Sequence, residues 1–246
     1  ARIAKTDAVL LATITAAHLA LMRIYLEPKG HWWGPALFWA ALGGGLMIKG
    51  PIILLFVGLT LIALVIWDRK LAWLGALKPL WGVPLFLAIA LPWYVAIGLV
   101  SDGGFYAEAI GDSLMGKVGE SQQSHAGPPG YYLSLLSLSF WPGSLFFVFA
   151  GWFAWTRRAE PATRYLIACI VPAWLVYELI ATKLPHYVMP LYPAMACLAV
   201  AAPAIQRSAP LRWSLIIWKT CRLPQMAMCR TQICRMHWWP AWRHWA

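Results

Sequence analysis

The side chains best suited to chemistry lie in a short polar segment, residues 182–187, which separates two apolar runs. Lys183 supplies a cation, His186 an imidazole and Tyr187 a phenol. Polar groups at the edge of a bilayer-length apolar run cost free energy unless they have a function. Pro185 disfavours helix in the residue before it, so we expect the three groups to share a short, stiff connector. Anchoring of Tyr and Lys at the membrane surface is the simpler explanation, and the sequence leaves both open.

Three further polar residues stand beside apolar runs: Asp7, Lys49 and His125. Each has an ordinary explanation, since Asp often caps a helix, Lys can extend to the membrane surface and a loop His is usually solvated. Each also has a chemical one: a carboxylate can polarise a hydroxyl, an ammonium can bind phosphate and an imidazole can ligate a divalent metal ion. Glu178, inside another apolar run, needs a partner there, which Lys49 or Lys183 could supply.

Composition predicts the fold class. Hydrophobic residues make up 61% of the 246 residues and charged residues only 12%, about half the share that is typical of water-soluble domains. A membrane helix needs about 20 mostly apolar residues. We therefore predict an all-α, polytopic membrane bundle with about seven spans: 7–26, 33–49, 51–67, 80–100, 131–155, 165–181 and 188–205.

The net charge of +11 is explained by where the basic residues fall between these spans. Lys and Arg mark cytoplasmic joints. One set of alternate joints holds Arg23, Lys29, Arg69, Lys70, Lys78, Arg157, Arg158, Arg164, Arg207 and Arg212. The other holds Arg2, Lys5, Lys49, Lys117 and Lys183. The richer set is predicted to be cytoplasmic and the poorer set periplasmic, and we expect no nucleic-acid partner because no basic face is interleaved with stacking aromatics.

The two ends of the chain differ from the rest. Residues 1–210 are predicted to form the transmembrane domain, whereas 211–246 are basic, rich in Trp and Cys, and show neither helix nor strand periodicity. A shifted reading frame would produce such a tail, and an interfacial segment is the alternative. The five cysteines show no disulfide pattern. The chain starts at Ala1 and enters a span almost directly, which predicts that an upstream part is missing.

Five short motifs, taken in order, resemble the family 39 glycosyltransferases, the bacterial relatives of aminoarabinose transferase and of protein O-mannosyltransferases. The resemblance covers about residues 1–210. The motifs are Ala4-Lys5-Thr6-Asp7, Ile48-Lys49-Gly50-Pro51, Leu91-Pro92-Trp93, His125 followed by Pro-Gly-Tyr-Tyr, and Thr182-Lys183-Leu184-Pro185-His186-Tyr187.

This resemblance implies a GT-C fold and a sugar transferase of the bacterial inner membrane. Such enzymes take a sugar from a polyprenyl-phosphate carrier and pass it to an acceptor on the periplasmic face, such as lipid A or a protein hydroxyl. The implied partners are the lipid-linked sugar, the acceptor and the membrane lipids. The runner-up class is a transporter of a small or lipid-linked substrate, which would place its ionisable groups near the bilayer midplane.

The resemblance also implies roles for individual residues. Asp7 would be the catalytic carboxylate that orients or polarises a hydroxyl. Lys49 and Lys183 would offset the charge on the leaving phosphate, and Tyr187 and His186 would complete the substrate-binding set.

His125 would ligate a divalent metal ion, the cofactor that the resemblance implies. Family members carry an Asp-Glu pair in an outer loop that would lie upstream of Ala1. The resemblance therefore predicts that the chain as written is inactive, and clear turnover in a transferase assay would refute this.

Overall fold

The computed structural model describes residues 6–30, 32–102, 104–107, 130–180 and 183–208, and most of these residues lie in helices. The chain divides into two compact units, Ala1–Pro203 and Ala204–Ala246. The second unit is described only as the last turns of one helix, so the predicted tail and its boundary at residue 210 stay predictions. His125 likewise lies outside the described residues.

Four helices form the first half: α1 (Thr6–Leu26), α2 (Trp33–Lys49), α3 (Ile52–Asp68) and α4 (Pro79–Val100). They follow the first four predicted apolar runs to within about a residue at most ends. Gly50, with a φ of +69°, and Pro51 form the tight joint between α2 and α3. Glycine adopts this conformation without the steric cost that a side chain would add.

Five α-helices lie among the described residues of the second half: α5 (Gly104–Ala107), α6 (Tyr131–Ser139), α7 (Phe147–Thr156), α8 (Pro161–Leu179) and α9 (Tyr192–Ser208). The prediction of one continuous span over 131–155 is wrong, because α6 and the helical segment 143–156 are bent by 118°. Pro142 lies at the bend, where its missing N–H prevents the helix from continuing. The last predicted span also begins later, at Tyr192, after a 3-10 helix over Pro185–Leu191.

Length and composition identify several of the described helices as membrane spans. Helices α1, α4 and α8 are long and apolar enough to cross a membrane, and the bent pair would make a fourth span. Helices α2, α3 and α9 have 17 residues each, or about 25 Å, which is the short end of the range of about 17–25 residues that cross a bilayer. The all-α, polytopic membrane class is confirmed, and α4 exposes most of its apolar side chains as a lipid-facing helix does.

Glycines in α2 allow its neighbours to pack closely. A Cβ on Gly43 would lie 3.1 Å from the Ile89 side chain and 3.2 Å from the Phe86 carbonyl oxygen of α4. A Cβ on Gly45 would collide with Cδ1 of Ile53 in α3. Small residues permit such contact in lipid.

Gly43→Leu is expected to destabilise the bundle, because the new side chain would meet the α4 backbone. Overpacking costs about 1–3 kcal/mol, so we expect a melting temperature in detergent several degrees lower than that of the wild type. Gly44→Leu is the matched control, since nothing lies within 4 Å of a Cβ there. Equal melting temperatures for the two variants would contradict this packing.

Polar contacts hold α1, α3 and α8 together away from their predicted periplasmic ends. Asp68 accepts a hydrogen bond from the Tyr25 hydroxyl at 2.7 Å and forms an ion pair with Arg164. Deeper in the bundle, the Tyr165 hydroxyl donates to the His18 carbonyl oxygen at 2.9 Å and lies 3.1 Å from His18 Nδ1. These contacts fix α1 against α8, which matters because the opposite ends of both helices carry the polar residues described next.

Candidate phosphate-binding site

Four predicted site residues meet at one end of the bundle, and we call them the Asp7 cluster: Asp7, Lys49, His186 and Tyr187. The Lys49 ammonium donates to Asp7 Oδ1, and His186 Nε2 lies 3.9 Å from Asp7 Oδ2. The three charged or ionisable side chains are 25–30% exposed. A cation, a carboxylate and an imidazole from separate segments therefore share one partly solvated rim.

The antiparallel packing of α1 and α2 produces the central contact. Asp7 lies in the first described turn of α1 and Lys49 is the last residue of α2, so the start of one helix meets the end of the other. Asp7 is inside the helix rather than at the N-cap position that the sequence offered as an alternative. A carboxylate in the first turn still gains from the helix dipole.

Tyr187 extends the cluster as a neutral hydrogen-bond donor. Its ring packs edge-on against His186, with ring centroids 5.0 Å apart, and lies 5.7 Å from the ring of Tyr177. Burial, and then the negative charge of Asp7, raise the pKa of Tyr187 above its ordinary value. Since both causes disfavour the phenolate, the hydroxyl keeps its proton at neutral pH and well above it.

Lys183 occupies a second polar group beside the Asp7 cluster. Its side chain is only 4% exposed, and its ammonium donates to the Glu178 carbonyl oxygen at 2.7 Å and lies 3.4 Å from Glu178 Oε1. The same Oε1 accepts the backbone N–H of Gly130 at 2.6 Å. Of the two partners the sequence offered Glu178, the described contacts pair it with Lys183, while Lys49 pairs with Asp7.

The structure thus brings Asp7, Lys49, His186 and Tyr187 together and places Lys183 in the same connector, turned towards Glu178. The predicted substrate-binding set omitted Glu178. The signal that could have added Glu178 to this set is a carboxylate inside an apolar helix, because a buried charge needs a partner.

The described residues do not complete a metal site. No group of three or more His, Cys, Asp or Glu side chains lies together within them. Asp7 and His186 form a pair of metal-ligand types, but a catalytic zinc site uses three protein ligands. The predicted metal ligand, His125, is outside the described part of the chain, so the metal ion stays a prediction.

Comparison with solved structures decides the fold. The chain superposes on ArnT from Cupriavidus metallidurans bound to undecaprenyl phosphate with a TM-score of 0.72 and 20% identity, covering 88% of this chain and 39% of that one. The apo structure gives a TM-score of 0.66 and 21% identity, with 85% and 37% covered. The chain has the GT-C fold of ArnT. The fold expected from the motif resemblance is therefore confirmed.

Sequence comparison points the same way. The chain is 26% identical over 193 residues to the undecaprenyl phosphate-α-4-amino-4-deoxy-L-arabinose arabinosyl transferase of Yersinia pestis (strain Pestoides F), which covers 74% of this chain and 34% of that protein. The corresponding Pseudomonas savastanoi protein is 28% identical over 162 residues, with 66% and 30% covered. No family model matches the chain. The chain spans about a third of the length of these ArnT relatives.

Proposed function

We propose that the chain is the lipid-phosphate-binding part of a membrane glycosyltransferase. It takes a pentose or hexose from a polyprenyl-phosphate carrier in the bacterial inner membrane and passes it to lipid A or a protein hydroxyl on the periplasmic face. The observation that carries this proposal is the Asp7 cluster with Lys183 beside it: basic side chains and a protonated phenol from separate segments at one end of an ArnT-type bundle.

Phosphate binding follows from the donors available. Lys49 and Lys183 supply positive charge, and the Tyr187 hydroxyl and the His186 ring supply hydrogen bonds. Preorganised donors act most strongly on charge that develops in a site with little water. Lys183 suits that role because its ammonium is almost wholly buried, so an anion beside it is screened less than at an open surface.

Sugar transfer requires a hydroxyl of the acceptor to attack the anomeric carbon of the donor. A new C–O bond forms as the bond from that carbon to the phosphate oxygen breaks. The lipid phosphate leaves with the electron pair and takes up the proton that the acceptor hydroxyl loses. Asp7 orients or polarises a hydroxyl in this step. Its pairing with Lys49 keeps the carboxylate beside the cation that offsets the phosphate charge.

The distribution of charge disfavours the transporter alternative. A transporter commonly binds its substrate near the bilayer midplane, at interrupted helices. Among the described residues, the Asp, Glu, Lys and Arg side chains lie at the ends of helices and in the joints between them. An enzyme that works at the membrane surface needs this placement.

Binding to undecaprenyl phosphate tests the proposal directly. We expect the purified 246-residue chain in nanodiscs to bind undecaprenyl phosphate at least tenfold more tightly than undecaprenol, measured by quenching of tryptophan fluorescence. The alcohol is the matched control because it differs only in lacking the phosphate. Equal affinity for the two lipids would contradict the proposed function.

A further inference from the structure

Glu178 joins three parts of the chain that are separate in sequence. It is the penultimate residue of α8. Its Oε1 atom accepts the N–H of Gly130, 48 residues earlier, and lies near the ammonium of Lys183, five residues later. One carboxylate therefore connects the end of α8, the connector and the residue that precedes α6.

Gly130 has a backbone conformation that favours glycine. Its φ is +88°, and it is the residue immediately before the first turn of α6. The N–H groups at a helix start have no partner within the helix, and a carboxylate from another helix gives this exposed donor a fixed acceptor. Glu178 supplies that acceptor at 2.6 Å.

The Lys183 ammonium contacts two oxygen atoms of Glu178. It donates to the Glu178 carbonyl oxygen at 2.7 Å and lies 3.4 Å from the carboxylate Oε1, which also accepts the Gly130 N–H. The backbone and the side chain of one residue therefore order a buried cation beside the Asp7 cluster.

The second carboxylate oxygen supports a role beyond an ordinary ion pair. Within the described residues, Glu178 Oε2 is buried and has no hydrogen-bond partner. An unsatisfied buried acceptor costs about 1–3 kcal/mol. If this contact were purely structural, replacing the unsatisfied oxygen would stabilise the protein. Its presence therefore indicates that Glu178 serves Lys183.

We propose that Glu178 is a positioning residue that holds the Lys183 ammonium ready for the lipid phosphate and ties it to Gly130 at the start of α6. This inference rests on the proposed function, since it gives Lys183 the phosphate to bind. Glu178 acts through Lys183 and does not itself touch the phosphate.

The test compares Glu178→Gln with Glu178→Ala in undecaprenyl phosphate binding. The amide oxygen of Gln can still accept from Gly130 and Lys183, and the negative charge that repels phosphate is gone, so we expect this variant to bind at least as tightly as the wild type. Ala keeps the backbone carbonyl that Lys183 contacts but loses the side-chain contacts to Lys183 and Gly130, and we expect binding about tenfold weaker. Glu160→Ala is the control, because Glu160 precedes the other end of α8 and pairs with Arg157.

A double-mutant cycle separates positioning from general damage to the fold. If Glu178 acts through Lys183, Glu178→Ala has no further effect on affinity in a Lys183→Gln background. The same tenfold loss in both backgrounds would overturn the proposal. Weaker binding of undecaprenyl phosphate by a Glu178→Gln variant with the wild-type melting temperature would also overturn the proposal. Holding Lys183 in place by hydrogen bonds would then not be enough for binding.

Chemical labelling of Lys183 provides a readout that needs no lipid. We expect an amine-reactive reagent, followed by mass spectrometry, to modify Lys183 at least fivefold faster in Glu178→Ala than in the wild type or in Glu178→Gln. Unchanged labelling would overturn the proposal. If the wild type binds no undecaprenyl phosphate, the proposed function fails, and the labelling rates still decide whether Glu178 holds Lys183.

Discussion

Lys183→Ala is expected to weaken the binding of undecaprenyl phosphate about 30- to 100-fold. The side chain is only 4% exposed, so the phosphate would lose a charged hydrogen-bond donor in a poorly solvated site. Such a bond contributes about 1.5–3 kcal/mol, and each 1.4 kcal/mol is about tenfold in affinity. Tryptophan fluorescence with the chain in nanodiscs measures the change.

Two further variants separate loss of the Lys183 charge from unfolding and from the loss of any surface lysine. Lys183→Gln removes the charge but keeps a donor for the Glu178 carbonyl oxygen, so a comparable loss of affinity in this variant excludes simple unfolding. Lys78→Ala is the surface control, because Lys78 is exposed in the joint between α3 and α4, among the residues predicted to be cytoplasmic. If Lys183→Gln bound undecaprenyl phosphate as tightly as the wild type, Lys183 would have no part in phosphate recognition.

Asp7→Asn and Lys49→Gln are expected to change the affinity for undecaprenyl phosphate in opposite directions. Asn keeps the shape of Asp7 but removes the negative charge that opposes a phosphate and pairs with Lys49. At about 6 Å and an effective dielectric constant of about 20, one unit charge is worth about 3 kcal/mol. Because the pair is 25–30% exposed, solvent screening reduces this, and we expect about tenfold tighter binding for Asp7→Asn.

Lys49→Gln removes the cation instead, and we expect binding about tenfold weaker for the same electrostatic reason. Both effects should shrink when the salt concentration is raised from 0.05 M to 0.5 M, since the residues are partly exposed. If both variants lost affinity equally, the pair would act only as a tie between α1 and α2. Their melting temperatures, measured in parallel, report that structural contribution.

The positions of most helices could be predicted from the sequence because they depend on local composition. Long apolar runs of bilayer length become helices, since every backbone polar group must be paired in lipid. The bend at Pro142 was missed because hydropathy reports whether a segment is apolar and carries no information on its direction. Among the described residues, three or four segments pass as spans by length and composition.

The site could be predicted only in part for a different reason. The motif resemblance identified Asp7, Lys49, Lys183, His186 and Tyr187, and each lies at the predicted outer end of the described bundle. It did not indicate which carboxylate pairs with which lysine. Asp7 and Lys49 are 42 residues apart, so their contact depends on the antiparallel packing of α1 and α2.

Hydropathy and charge act segment by segment, so the residues alone predict an all-helical membrane protein with its basic residues divided between two ends. The contacts of Glu178 with Lys183 and Gly130, and of Asp7 with Lys49, emerge only in the folded bundle. Those contacts join segments that approach one another only when the helices pack, so no local pattern encodes them.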